Sequence, residues 1–389
     1  MQKKVLVVVA SRANYGRCKS LLQEIDLHKD LELELIVCGS AILDKFGNTA
    51  EIIKKDGFKI SYESNFLLSG SDLRSQATTT GLAIIQLTEI IARSQPHFVV
   101  TIADRYETLA TAIAASYQNI PLIHLQGGDI SGNIDDRVRH AITRLSDYHF
   151  PASKKSFDNL VKMGEPINQI WMLGCPSMDI VENAPSFEDF KKDYISNKKL
   201  QEAKSKKYFL VLLHSVTDSQ DQTLLIHNYL IKALSSFNKY KIILISPNVD
   251  AGSEKIRSLS SNMDIGLKNR LNIIESVEPE KFVTLIKNAS ICIGNSSSFL
   301  REAGLCGTPS LILGDRQISR EMGQNCTVLL KPSINSILKE INRILIIKKY
   351  PPDKRFGDGK TGKKIANKIA SLPTKYRSKP KLKFDQNIT

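Results

Sequence analysis

Short apolar runs alternate with amphipathic stretches along almost the whole chain. Val5–Val9, Leu33–Val37, His97–Thr101 and Pro121–His124 are apolar segments of strand length. Gly16–Leu27, between the first two, and Glu107–Tyr117, between the last two, space their apolar residues as a helix does. After a polar stretch near Ser186–Lys207 the pattern resumes with Tyr208–Leu213, Lys241–Ile245, Leu271–Ile274, Ile291–Gly294 and Ser310–Leu313. Alternation of this kind predicts parallel sheets covered by helices on both faces. Two such series predict an α/β protein with two doubly wound, Rossmann-like domains facing a central cleft. The break between them gives an N-terminal domain over 1–185 and a second domain over 186–347. A tail over 348–389 follows, with one short helix at Gly362–Ala370 and a partly disordered end. Ligands of open α/β sheets sit beyond the carboxyl ends of the strands, so the cleft is the expected site.

Composition narrows the class. The 389 residues suit two domains, and 42% apolar with 24% charged residues is the mix of a globular protein. No apolar run approaches the roughly 18–20 residues that cross a bilayer. After Met1-Gln2-Lys3-Lys4 only six apolar residues precede polar Ser11–Asn14, which suits a first strand better than a signal peptide. A cytoplasmic protein without a membrane partner is expected. The net charge of +14 is uneven: Lys348–Thr389 carries 13 Lys+Arg and 3 Asp+Glu, so the other 347 residues hold only +4. That excess reads as a solvated tail rather than a nucleic-acid surface, and no nucleic-acid partner is expected. The mildly basic body suits an anionic small molecule. The six cysteines form no C-x-x-C pair and no H-E-x-x-H is present, so reduced thiols are expected, and neither a metal nor another cofactor.

The candidate chemistry lies where strands end. Cys292-Ile-Gly294-Asn295-Ser296-Ser297-Ser298 runs from a strand into a helical pattern at Phe299–Leu305. Its hydroxyls and helix-start N–H groups suit phosphate oxygens, although serine also caps ordinary helices. Glu302 follows, placed to accept from ribose hydroxyls. Gly314-Asp315-Arg316 and Ser11-Arg12 supply guanidiniums after two further strands, and arginine is the natural phosphate partner. Neither a G-x-G-x-x-G nor a Walker A pattern occurs. Asp104-Arg105 places a carboxylate and a cation at another strand end. The stretch His124–His140 is the densest, with three carboxylates, three glycines and two histidines in 17 residues. Within it Asp135 starts a helix, where it is either a cap or a functional acid. His214 ends Tyr208–Leu213 as a candidate acid or base.

These motifs occur in a recognisable order: Arg12-Ala-Asn-Tyr, Asp104-Arg105, His124-Leu-Gln-Gly-Gly, Ser131-Gly-Asn-Ile-Asp135-Asp136, Arg139-His140, Gly174-Cys-Pro-Ser-Met-Asp179, His214-Ser-Val-Thr, Pro247-Asn248-Val-Asp250, Gly294-Asn-Ser-Ser297, Arg301-Glu302 and Gly314-Asp-Arg316-Gln-Ile-Ser-Arg320. Together they resemble the UDP-N-acetylglucosamine 2-epimerase family over residues 4–345, above all its hydrolysing branch, which makes N-acetylmannosamine for sialic or related nonulosonic acids. The resemblance implies a fold of the glycosyltransferase-B type, a UDP-sugar substrate, no cofactor, and a homo-oligomer, dimer or tetramer. It implies UDP contacts from Arg12, Arg105, His214, Asn248, Ser296, Ser297, Glu302 and Arg316. Its acid/base positions fall on Asp104, Gln126 and Asp135, with His214 as a further catalytic or phosphate-contacting group. Two departures stand out. Ala103 replaces the family's usual glycine, and Gln126 replaces its usual glutamate. A glutamine is no general base, which leaves three readings open: Asp129 takes over the proton transfer, Gln126 positions a modified substrate such as a UDP-2,4-diacetamido-2,4,6-trideoxy sugar, or turnover is slow or lost. A non-hydrolysing epimerase, a glycosyltransferase and a UDP-sugar-binding protein without turnover are the rival readings.

Overall fold

A computed structural model describes every residue except 1, 69–71, 131–133, 194–200, 215–219, 247–264, 276 and 375–389. In the N-terminal half the elements run β1 (Lys3–Val9), α1 (Arg12–Asp26), β2 (Leu31–Cys38), α2 (Thr49–Lys55), β3 (Tyr62–Ser64), α3 (Leu73–Ser94), β4 (Phe98–Ile102), α4 (Tyr106–Tyr117), β5 (Leu122–Leu125), α5 (Ile134–Leu145), β6 (Tyr148–Phe150) and α6 (Lys154–Lys162). The second half runs α7 (Phe187–Lys192), β7 (Tyr208–Leu212), α8 (Gln220–Ser235), β8 (Lys241–Ile245), α9 (Ile265–Lys268), β9 (Leu271–Ile274), α10 (Pro279–Asn288), β10 (Ile291–Gly294), α11 (Glu302–Cys306), β11 (Ser310–Leu313), β12 (Cys326–Leu329) and α12 (Ile334–Ile347). A last helix, α13 (Thr361–Ser371), follows.

Each half holds one six-stranded parallel sheet. The orders are β3-β2-β1-β4-β5-β6 and, read from the other edge, β9-β8-β7-β10-β11-β12. The same topology therefore occurs twice, with its switch point between the first and fourth strands of each half. Both sheets are buried on both faces, and strand alternation divides the core accordingly. Val5, Val7 and Val9 face one cluster and Leu6 and Val8 another; Tyr208, Leu210 and Leu212 face a third, and Phe209 and Val211 a fourth. The strands not singled out from sequence, β3, β6 and β12, lie at sheet edges and are three or four residues long.

Two expectations need correcting. The reading of 348–389 as one solvated tail fails for its first part. The helix expected at Gly362–Ala370 returns to the N-terminal half, where Ile365, Ala366, Ile369 and Leu372 join the β1–α1 core. Gly362 lies so close to α1 that a Cβ there would stand 2.7 Å from the Ser20 carbonyl carbon. Asp179 accepts from the Thr361 and Gly362 N–H groups (2.8 and 2.6 Å) and from Ser20 Oγ (2.9 Å), pinning the start of α13 to α1. The single helix expected over Phe299–Leu305 is also broken. A 3₁₀ turn spans Ser297–Phe299, and α11 starts only at Glu302. The Phe299 carbonyl, which a continuous helix would use, accepts instead from the Asn325 side-chain amide at 3.1 Å.

Candidate active site

The strand ends at the two switch points face each other across one cleft of about 1130 Å3 that opens to solvent. After β1, Ser11 caps α1 by accepting from the Asn14 N–H at 3.2 Å, which sets Arg12 at the helix start and Arg17 one turn later. After β4, Ala103 turns the chain through a left-handed conformation (φ 66°) into Asp104 and Arg105. After β7, the Asn295 side chain grips the His214 backbone at both N–H and C=O (2.7 and 2.9 Å). Asn295 itself follows β10, and its carbonyl accepts from Gln317 Nε2 at 2.8 Å, so three strand ends are tied together there.

Of the residues singled out from sequence, Arg12, Asp104, Arg105 and Asp135 line this cleft from the N-terminal half. His214, Ser296, Ser297, Glu302 and Arg316 line it from the other. Asn248 lies outside the described residues. Gln126 and Asp129 are not brought to the wall of the cleft. Both are buried behind it, where Arg301 donates to Gln126 Oε1 and to Asp129 Oδ2, each at 2.8 Å. Gln126 Nε2 points to Cys175 Sγ at 2.9 Å, and Asp129 also accepts from Ser156. Asp129 is thus engaged in a buried network behind the cleft, not set on its wall as a replacement for the glutamate would be.

The electrostatics of the cleft divide into two zones. Around His214 burial first, then the guanidiniums of Arg316, Arg12, Arg17 and Arg105, push the imidazole pKa far below its ordinary value, so the ring is neutral. Four cations converging on one neutral ring mark a place for an anion. Arg105 is steadied by a two-pronged pair with buried Glu107 (3.0 and 3.0 Å), and Arg17 donates to Ser297 Oγ at 2.9 Å. Arg316 reaches Asp135 at 3.9 Å. The second zone surrounds Asp104. Burial opposes its charge, but Arg139, Arg320 and Arg17 outweigh that and hold the carboxyl well below the usual range. Asp104 pairs with Arg139 and lies 3.6 Å from Arg320. Val277, Pro279 and Phe282 add apolar lining to the cleft, and Glu302 Oε2 is buried with no hydrogen-bond partner among the described residues.

Sequence reasoning missed Arg17 and Arg320 on the cleft and Arg139 and Arg301 behind it. Arg320, Arg139 and Arg301 stood inside the quoted motifs, but nothing in their spacing separates a strut from a surface cation. Arg17 carried no signal at all. Among the described residues no group of three or more His, Cys, Asp or Glu converges as a metal site, and no helix is long and apolar enough to cross a membrane.

Comparison with known proteins gives this geometry a family. Residues 23–370 match the family described as UDP-N-acetylglucosamine 2-epimerase. A UDP-N,N'-diacetylbacillosamine 2-epimerase (hydrolyzing) of Legionella pneumophila is 31% identical over 375 residues, covering 96% of this chain and 97% of its own. A UDP-N-acetylglucosamine 2-epimerase of Neisseria meningitidis serogroup B is 30% identical over 361 residues, covering 92% of each. The crystal structure of Methanocaldococcus jannaschii UDP-GlcNAc 2-epimerase, in complex with UDP-GlcNAc and UDP, superposes with a TM-score of 0.78 at 20% identity over 94% of this chain and 99% of that one. Its likeness identifies the fold as two Rossmann-like domains in the glycosyltransferase-B arrangement. With a family match across most of the chain and relatives at 30% identity along nearly their full length, the chain is an enzyme of the UDP-N-acetylglucosamine 2-epimerase family.

Proposed function

We propose that the protein is a hydrolysing 2-epimerase that converts a UDP-GlcNAc-type sugar and water to UDP and the free 2-epimer. The observation that carries this reading is that Asp104 and Asp135 share one cleft with the four guanidiniums around His214. The cations and the Ser296–Ser297 hydroxyls take the diphosphate, and Glu302 Oε2 takes a ribose hydroxyl. Asp104, kept ionised, accepts the C2 proton while the C1–O bond breaks and the electron pair leaves with UDP. The product of that step is a 2-acetamidoglycal held in the cleft. Asp135, protonated from solvent, gives its proton to C2 on the opposite face while water adds its oxygen to C1. The water's second proton and the one held by Asp104 are released to solvent, and both carboxyls are reset. Opposite-face return needs two separate groups. Negative charge building on the departing diphosphate is met by preset cations rather than by reorganising water.

The test is incubation with UDP-GlcNAc in heavy water. Free UDP, free N-acetylmannosamine and one deuterium at C2 are expected. A product that keeps UDP would refute hydrolysis, and unlabelled sugar would refute proton transfer at C2.

Gln126 favours a second substrate within the same chemistry. Its buried amide cannot titrate, and the Legionella pneumophila relative is named for UDP-N,N'-diacetylbacillosamine. The same assay with the UDP-linked 2,4-diacetamido-2,4,6-trideoxy sugar decides between them by kcat/KM. We further expect a cytoplasmic homo-oligomer whose product feeds sialic- or legionaminic-type acid synthesis.

A further inference from the structure

The two groups assigned to proton transfer come from different elements. Asp104 follows β4, and Asp135 lies in the first turn of α5. Arg139 joins them. It lies on α5 one turn after Asp135 and is the largest fully buried side chain of the described residues, 1% exposed. Its Nη2 donates to the Asp104 carboxylate. Its Nη1 donates to Asp136 Oδ1 and to the Asp129 carbonyl, both at 2.6 Å. One rigid fork therefore spans the end of β4, the loop after β5 and the start of α5. A lysine has neither the planarity nor the number of donors to replace it.

We propose that Arg139 is the positioning residue of the proton-transfer pair, orienting the Asp104 carboxylate and fixing its distance from the helix that carries Asp135. Several other groups face Asp104. Arg320 comes from the opposite half, Arg17 from α1 and Arg301 from the segment before α11, while His124 at β5 is buried and neutral. Of the described arginines, only Arg139 donates a hydrogen bond to Asp104 and shares a helix with Asp135. This role rests on the assignment of Asp104 and Asp135 made above.

The test uses the full chain as wild type, Arg139→Met and Arg139→Lys. The first readout needs no turnover. Protein labelled with 13C at aspartate carboxyls is titrated by NMR, and the Asp104 signal is identified by its absence in Asp104→Asn. In wild type Asp104 stays ionised through the acid range in which the fold survives. In Arg139→Met its midpoint rises into or above the ordinary carboxylate range near pH 4. The second readout uses whichever UDP-sugar the wild type converts: kcat falls about 10²-fold, since small misplacements of a reacting group cost that much, while KM and UDP affinity stay unchanged. Arg139→Lys recovers the low Asp104 midpoint but only part of kcat. If the methionine variant does not fold, the lysine variant decides on its own: wild-type kcat with an unchanged titration overturns the proposal. An unmoved Asp104 titration in Arg139→Met, or a rise in KM at constant kcat, also overturns it. A wild type that releases no UDP from either sugar sinks the proposed function instead, and the titration still decides what Arg139 does.

Discussion

Aligned strand for strand, the two halves differ most at the ends of their fourth and fifth strands. The C-terminal half turns there through glycines, Gly294 (φ 147°) and Gly314 (φ 78°). The N-terminal half turns at the matching places through Ala103 (φ 66°) and Gln126 (φ 64°), residues for which the left-handed region costs roughly 1–2 kcal/mol. Gly314 serves the left-handed turn itself, and Gly294 serves close approach. A Cβ on Gly294 would overlap the Leu212 carbonyl of the neighbouring strand, so the switch point could not close. The strained residues serve side chains: Gln126 spends both ends of its amide on Arg301 and Cys175, and Ala103 leads directly into Asp104. On the proposed function, one topology thus supplies a bare backbone for a diphosphate on one side and fixed acids on the other. The comparison breaks if changes in the two halves have the same kinetic effect.

The largest expected effect is in the N-terminal half. Asp135→Asn and Asp104→Asn each remove a proposed acid/base group but keep an acceptor oxygen. Each should lower kcat by about 10²–10⁴-fold while UDP affinity measured by calorimetry stays near wild type. Loss of UDP affinity with intact kcat would move these residues to the binding side. Next comes the C-terminal half. Arg316→Ala should weaken UDP binding by about 10–100-fold, the equivalent of about one charge-assisted hydrogen bond. The effect should appear in KM before kcat, and Arg316→Lys should recover part of it. An unchanged UDP affinity would mean that Arg316 serves Asp135 instead.

The contrast between the halves shows how far the sequence could be read. Central strands were legible because residues such as Val5–Val9 and Tyr208–Leu212 are apolar on both faces, a pattern that few other structures demand. The cleft was legible because Asp104, His214 and Arg316 follow such strands directly. The docking of α13 was not: its contact with α1 lies more than 300 residues away in sequence, and a Lys-rich composition masks the stripe of Ile365, Ala366 and Ile369. The break before α11 depends on Asn325, a side chain from a later loop. Arg17, Arg139, Arg301 and Arg320 are invisible for a related reason. Burial of a guanidinium is decided by partners that arrive from other elements, and local sequence does not carry those partners.

The strained turns give a smaller, opposed pair of effects. Ala103→Gly relieves a left-handed alanine but adds chain entropy to the unfolded state, so a gain of up to about 1 kcal/mol is expected. Gly314→Ala does the reverse. Its Cβ would meet only Ile226 Cδ1, at 3.3 Å, so backbone strain dominates and a loss of about 1–2 kcal/mol is expected. Urea midpoints at constant m-value measure both. If both variants are neutral, backbone strain does not distinguish the halves.

The histidines sharpen the same comparison at the smallest scale. His124, in the N-terminal half, is buried with both ring nitrogens engaged, Nε2 with the Ala103 carbonyl at 2.9 Å and Nδ1 with Thr143 Oγ1 at 3.2 Å. His227, on α8 in the other half, is equally buried, and neither ring nitrogen has a hydrogen-bond partner among the described residues. Burial pulls its pKa down to about 4 from the ordinary 6.5. Between those two pH values the unfolded chain binds a proton that the native chain refuses. Stability contributed by the neutral ring is therefore complete above pH 6.5 and declines as pH falls toward 4. His227→Leu removes an unpaired polar group and this proton linkage together. We expect it to raise stability at pH 7 by about 1 kcal/mol, the order of an unmet buried hydrogen bond, and to flatten the pH dependence below 6.5 by about 1 kcal/mol per pH unit. The matching His124→Leu should instead destabilise at pH 7, because it strands the Ala103 carbonyl inside the core. Unfolding midpoints at pH 7 and pH 5 test the pair: a His227→Leu variant that loses stability at both values would show that this ring is needed for packing.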